Sequence, residues 1–79
     1  MSFRFKAGQR VIVNGGVIYA GVDIGGCRGT VAQEWPKAGL LEENQYNVHL
    51  DPANPIGAGY IVFGEAQLGP DILEELARL

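Results

Sequence analysis

The stretch Gly25-Gly26-Cys27-Arg28-Gly29-Thr30-Val31 decides the fold of this chain. Three glycines within five positions favour a tight turn, because glycine adopts backbone conformations that other residues avoid. Thr30 and Val31 are β-branched and begin a predicted strand over residues 30–35. Pro36 ends that strand, since proline cannot donate to a strand ladder. A glycine turn that leads into a short strand is typical of a small β-barrel.

Alternation of apolar and polar residues predicts strands on both sides of this turn. The alternating runs are residues 10–13, 46–50 and 60–63, and residues 65–68 form a short closing segment. The pattern places Val11, Val13, Val31, Val48, Ile61 and Phe63 in the core and Ile12, Tyr60 and Val62 outside. If Val31 pairs with Val48, then Thr30 falls opposite His49 on the outer face. These strands predict a mainly β, five-stranded, partly open barrel over residues 5–68.

The end of the chain predicts a short helix over residues 70–78. Gly69 suits the N-cap, and Pro70 suits the first helical position. Leu73 and Leu76 lie on one apolar stripe. With 79 residues, the chain makes one domain, residues 1–79.

Composition excludes several classes of function. A net charge of −3 disfavours nucleic-acid binding, which depends on phosphate neutralisation by Lys and Arg. Cys27 is the only cysteine, so a disulfide scaffold is excluded. No signal peptide and no apolar run long enough for a membrane helix is present, so we expect a cytoplasmic protein without membrane contact.

The residues that could carry chemistry are few and badly spaced. Gly21 and Gly26 have the spacing of a phosphate loop, but Cys27 and Arg28 follow where Lys and Ser or Thr are required. Cys27 lies too far along the strand to pair with His49, and Thr30 without a strong base is no nucleophile. A single His and a single Cys do not supply a metal site. We therefore predict no catalytic, metal-binding or cofactor-binding residues and no cofactor.

Four stretches resemble SH3-like barrels, in particular those of electron-transport accessory proteins and of the C-terminal domain of nitrile hydratase β subunits. They are KAGQRVIV at residues 6–13, RGTV at 28–31, YNVHLD at 46–51 and IVFGEAQL at 61–68. Gln9 stands where those proteins carry an acidic residue, and Arg28 is the only arginine in the glycine turn. The resemblance implies an SH3-like barrel. The missing catalytic set and the apolar loop of residues 17–24 then predict a non-catalytic accessory or protein-binding module that associates with itself.

The same superfamily includes the type II dihydrofolate reductase, a tetramer of short chains whose pore is lined by a V-Q-I-Y strand. The matching strand here, residues 60–63, lacks the glutamine. The resemblance implies an alternative function, an oligomeric enzyme or small-ligand binder whose pocket lies at a subunit interface. Recognition of a peptide or a nucleic acid by the barrel face is a third alternative.

Apolar residues outside the predicted core point to an interaction surface. Residues 17–26 contain five apolar side chains other than alanine and a single charge, Asp23, which is too apolar for a freely solvated loop. We expect this loop to fold back over the barrel or to meet a partner. The predicted interaction surface consists of Tyr19, Val22, Ile24, Arg28, Trp35, Tyr60 and Val62. The predicted partner is a second copy of the chain, another protein, or both. The alternative for Tyr60 and Val62 is burial under the C-terminal helix.

Overall fold

The computed structural model describes residues 3–35, 43–57, 59–72 and 76. These residues form seven strands and one 3-10 helix. The strands are β1 Arg10–Val13, β2 Ile18–Tyr19, β3 Val22–Asp23, β4 Arg28–Trp35, β5 Gln45–Leu50, β6 Tyr60–Gly64 and β7 Leu68–Pro70, and the 3-10 helix is Glu65–Gln67.

Five of these strands form one antiparallel sheet in the order β6-β5-β4-β1-β7. The mainly β class and the five-stranded sheet are therefore confirmed. The sheet is open, with β6 and β7 as its edges, and does not close into a barrel. Val31 pairs with Val48 and Thr30 with His49, which is the register assumed above for these two strands.

The core lies on one face of the curved sheet. Its buried apolar residues are Phe5, Val11, Val13, Ile24, Val31, Tyr46, Val48, Leu50, Ile61, Phe63 and Leu68. All six residues that alternation assigned to the core are among them. A strand with one buried face must alternate in this way, because successive side chains point to opposite faces.

The glycine turn differs from its prediction in one respect. The turn itself is formed by Gly25 and Gly26, where Gly26 has a φ of 88°. Strand β4 begins at Arg28 and not at Thr30, so Gly29 is a strand residue that pairs with Val11 and Leu50. Glycine is required there because the neighbouring strand β5 approaches closely.

The apolar segment of residues 17–26 forms structure that alternation did not predict. Strands β2 and β3 make a two-stranded hairpin, with Tyr19 opposite Val22. The Ile24 N–H donates to the Val17 carbonyl at 2.9 Å and brings the chain back to the sheet. The expectation that the segment folds back is therefore confirmed for Ile24, which is fully buried.

The predicted start of the C-terminal helix is wrong. Gly69 and Pro70 belong to β7, where they pair with Ile12 and Val11 of β1. Proline is compatible with this position because β7 is an edge strand and needs no further donor. Beyond Asp71, only Ile72 and Leu76 are described, and both are helical; the rest of the predicted helix, including Leu73, lies outside the described residues.

Candidate interaction surface

The outer face of the sheet carries a row of side chains that crosses four strands. Register places Tyr60 beside His49, His49 beside Thr30, and Thr30 beside Arg10. The rings of His49 and Tyr60 lie against each other, with centroids 4.7 Å apart and planes inclined by 32°. The Arg10 guanidinium donates to the Thr30 hydroxyl at 3.1 Å. The row therefore consists of aromatic rings on β6 and β5 and ends in the charged Arg10 on β1.

An ion pair terminates this row. Both terminal nitrogens of Arg10 donate to the two carboxylate oxygens of Asp51, at 2.7 and 2.6 Å. This fork holds the loop after β5 against β1. Hydrogen bonding from Arg10 lowers the pKa of the Asp51 carboxyl below its ordinary value of 3.8. Arg10 and Asp51 are therefore engaged with each other, and their geometry is that of a structural clamp.

Asp51→Asn is expected to destabilise the fold by about 1 kcal/mol at neutral pH, a small value because solvent reaches this carboxylate. Folding lowers the pKa of Asp51, so its contribution is present above the unfolded pKa and is lost as the pH falls through the folded value. Urea denaturation at pH 7 and at successively lower pH below 4 measures this. Arg10→Lys keeps the charge but not the fork, so we expect an intermediate loss. Equal stability of Asp51→Asn and the unmodified protein at pH 7 would contradict the clamp.

A shallow groove of about 450 Å³ lies between the glycine turn and the loop after β5. Asp23, Cys27, Arg28 and Asp51 line it. Asp23 accepts the Gly25 N–H at 2.8 Å, and Arg28 lies 3.4 Å from the buried Asp71 carboxylate. Asp23 thus holds the glycine turn, and Arg28 connects β4 with the residue that follows β7.

Among the described residues, no group of three or more His, Cys, Asp or Glu side chains is placed to hold a metal ion. Within the same part of the chain, no helix is long and apolar enough to cross a membrane.

The predicted interaction residues fall on separate elements. Tyr19 and Val22 are exposed on the β2–β3 hairpin, and Trp35 is exposed at the end of β4. Arg28 lines the groove and is engaged with Asp71. Ile24 is wrong as a surface residue, because the chain turns it into the core.

Tyr60 and Val62 are both exposed, at 62% and 42%. Both lie on β6, two residues apart, so they share the outer face of an edge strand. Their prediction as outward residues is confirmed. Sequence reasoning placed His49 on the outer face but did not include it in the interaction surface, although its ring lies against Tyr60. It also left out Ile18, which is exposed on the hairpin.

The backbone of β6 has one side that faces away from β5. The Leu50 N–H donates to the Gly59 carbonyl at 2.8 Å, and the Glu65 N–H donates to the Asn44 carbonyl at 3.0 Å. Hydrogen-bonded and non-hydrogen-bonded pairs alternate along an antiparallel ladder. Tyr60 and Val62 therefore occupy non-hydrogen-bonded pairs with β5, and their N–H and C=O groups point away from it. No described strand pairs with that side.

Comparison with known proteins found no relative of this chain. No family model matches the chain, no curated protein is significantly similar to it, and no solved structure is either.

Proposed function

We propose that this chain is a non-catalytic, SH3-like accessory module that binds protein, itself included, through β6. One observation carries the proposal: an edge strand exposes two large apolar side chains together with backbone groups that have no described strand beside them. Such an edge is a template for pairing with another chain. The strand order and the 3-10 turn before the last strand support the proposed SH3-like resemblance of this open sheet.

The charge of β6 supports binding through this edge. Natural edge strands are usually blunted by lysine, proline or a bulge. Strand β6 has the sequence Tyr-Ile-Val-Phe-Gly, which contains no charged residue and no proline. Its pairing with β5 runs through five successive residue pairs without a register shift. An edge without these protective features is suited to a partner strand.

The polar groups near the surface support binding over catalysis. Asp51 is held by Arg10, and Glu65 accepts hydrogen bonds from Tyr46 and the Arg4 N–H. Each of these carboxylates connects distant parts of the chain. The proposed setting is the cytoplasm. The alternative of a pocket at a subunit interface stays a prediction, and folate and nicotinamide binding to the assembled protein would test it.

Self-association should depend on the outer face of β6. Tyr60→Lys and Val62→Lys are each expected to weaken it by about 30-fold, because they place a charge in an apolar contact worth about 2 kcal/mol. Sedimentation equilibrium over a range of protein concentrations measures the dissociation constant.

Ile18→Lys is the matched control, since Ile18 is exposed to a similar extent, 59%, but lies on the β2–β3 hairpin. We expect it to associate like the unmodified protein. Association that is lost in Ile18→Lys and kept in Tyr60→Lys would assign the interface to the hairpin and contradict the proposal.

A further inference from the structure

We infer that the partner of β6 is a second copy of β6, paired antiparallel across a two-fold axis at Ile61. This inference rests on the proposed function and adds the partner and the register. It places Tyr60 of each copy opposite the partner's Val62. The exposed side chains of β6 therefore meet in two equivalent Tyr–Val pairs.

The backbone of β6 restricts the registers that are available. Only the alternate residues with outward N–H and C=O groups can form hydrogen-bonded pairs across this edge. In β6 these are Tyr60, Val62 and Gly64. The Gly64 N–H already donates to the Gln67 side chain at 2.9 Å, which closes that end of the edge. Tyr60 and Val62 therefore supply the available donors.

An axis at Ile61 is the one arrangement that uses both of these residues. Tyr60 and the partner's Val62 exchange both backbone hydrogen bonds, and the symmetric pair does the same. An axis at Val62 would pair Tyr60 with the partner's Gly64, whose N–H is engaged. An axis at Tyr60 would pair Tyr60 with itself and move Val62 past the start of the partner strand. A shift by one residue would bring outward side chains against inward ones.

The side chains fit the same register. An aromatic residue opposite a β-branched residue is a favourable cross-strand pair. The outer surface around this seam includes the His49 ring, which already lies against Tyr60. Each chain has a net charge of −3, but β6 contains no charged residue, so the strand itself adds no repulsion to the contact. The product is a continuous ten-stranded sheet made from two five-stranded ones.

A second copy suits the edge because the pairing is self-complementary. The outward N–H of Tyr60 donates to the carbonyl of the partner's Val62, and the outward carbonyl of Tyr60 accepts from its N–H. An isologous contact of this kind forms a closed dimer. A domain of this size also gains stability from association that its own small core does not supply.

The register is tested by mixed-cysteine cross-linking of the full chain. Cys27→Ser removes the single native thiol. Tyr60→Cys and Val62→Cys are then made separately in that background, mixed, and oxidised with oxidised glutathione. In the inferred register the two Cα atoms lie about 5.5 Å apart, within reach of a disulfide. The mixture is expected to give a covalent dimer that contains one chain of each variant.

Each variant alone supplies the control. Identical positions lie about 8 Å apart in this register, beyond disulfide reach, so we expect at least about tenfold less covalent dimer from either variant by itself. Mass spectrometry of the cross-linked peptides identifies the pair. A disulfide formed by Tyr60→Cys alone, or no mixed disulfide, would overturn the inferred register.

The two proposals fail in different ways. Suppose that Tyr60→Lys blocks association in sedimentation but the mixed disulfide does not form. That result overturns the register and leaves β6 as the binding surface. An unmodified protein that stays monomeric at its highest soluble concentration overturns the second copy as the partner. A mixed disulfide in a protein whose association is insensitive to Tyr60→Lys overturns the proposed role of the side chains.

Discussion

Gly29→Ala is expected to destabilise the fold by about 3 kcal/mol or more, the largest effect of any single methyl group that we foresee. A Cβ at this position would lie 2.6 Å from the His49 carbonyl oxygen and 2.8 Å from a methyl carbon of Val48. Gly29 sits in β4 between β1 and β5, so neither neighbour can move without loss of strand pairing. A domain of this size has a total stability of about 4–12 kcal/mol, so this loss is a large share of it.

Urea denaturation followed by circular dichroism measures the effect. Gly15→Ala is the matched control, because no atom lies within 4 Å of its added Cβ and its backbone is not left-handed. We expect Gly15→Ala to change the free energy of unfolding by less than about 0.5 kcal/mol. A Gly29→Ala variant with the midpoint of the unmodified protein would mean that β4 and β5 are not packed as described.

Tyr46→Phe is expected to destabilise the fold by about 2 kcal/mol, although it removes a single oxygen. Tyr46 is fully buried, and its hydroxyl accepts the N–H groups of Arg4 and Phe5 at 3.0 and 3.3 Å. The hydroxyl also donates to the Glu65 carboxylate. It therefore connects the N-terminal segment, β5 and the 3-10 helix. Phenylalanine fills the same space but leaves the buried Phe5 N–H without this acceptor.

The same variant is expected to change the stability at alkaline pH. Burial, followed by the hydrogen bond to Glu65, raises the pKa of Tyr46 above its ordinary value of 10.0. At a pH between the pKa of Tyr46 in the unfolded chain and its higher pKa in the folded chain, the unfolded chain has released a proton that the folded chain still holds. Stability must therefore fall as the pH rises above about 10. Tyr46→Phe lacks this group, and we expect its stability to fall less steeply there.

Chemical denaturation at pH 7, 9 and above 10 tests both parts of this prediction. Tyr19→Phe is the control, since Tyr19 is exposed on the β2–β3 hairpin and no hydrogen bond is described for its hydroxyl. We expect it to match the unmodified protein at pH 7. Equal stability of Tyr46→Phe and Tyr19→Phe at pH 7 would show that the hydroxyl does not hold the N-terminal segment.

The Tyr46 network also bears on Glu65. Its hydrogen bond from Tyr46 lowers the pKa of the Glu65 carboxyl below the ordinary 4.5. Glu65 therefore contributes stability above its unfolded pKa, and this contribution is lost as the pH falls through the folded value. The same hydrogen bond thus makes the fold sensitive to acid through Glu65 and to alkali through Tyr46.

The exposed residues of the candidate surface were predictable from sequence where they follow the two-residue alternation of a strand. Tyr60 and Val62 alternate with Ile61 and Phe63, so the burial of the second pair determines the exposure of the first. Ile24 shows the limit of that reasoning. An apolar residue in a loop has no period, and its burial depends on the hairpin that returns it to the sheet.

Sequence alone determined the class of fold and the inward residues of four strands. Both follow from local alternation, in which each residue points to one of the two faces of the sheet. The pairing of Val31 with Val48 was an assumption at that stage, and the structure contains it. Tertiary structure alone decided that Gly29 is a strand residue, that Gly69 and Pro70 pair with β1, and that Tyr46 holds the N-terminal segment. Each of these depends on which distant strand lies alongside, and the pattern along one stretch of chain does not specify its neighbour. The position of β6 at the edge of the described sheet is of the same kind, because an edge exists only once the order of the strands is set.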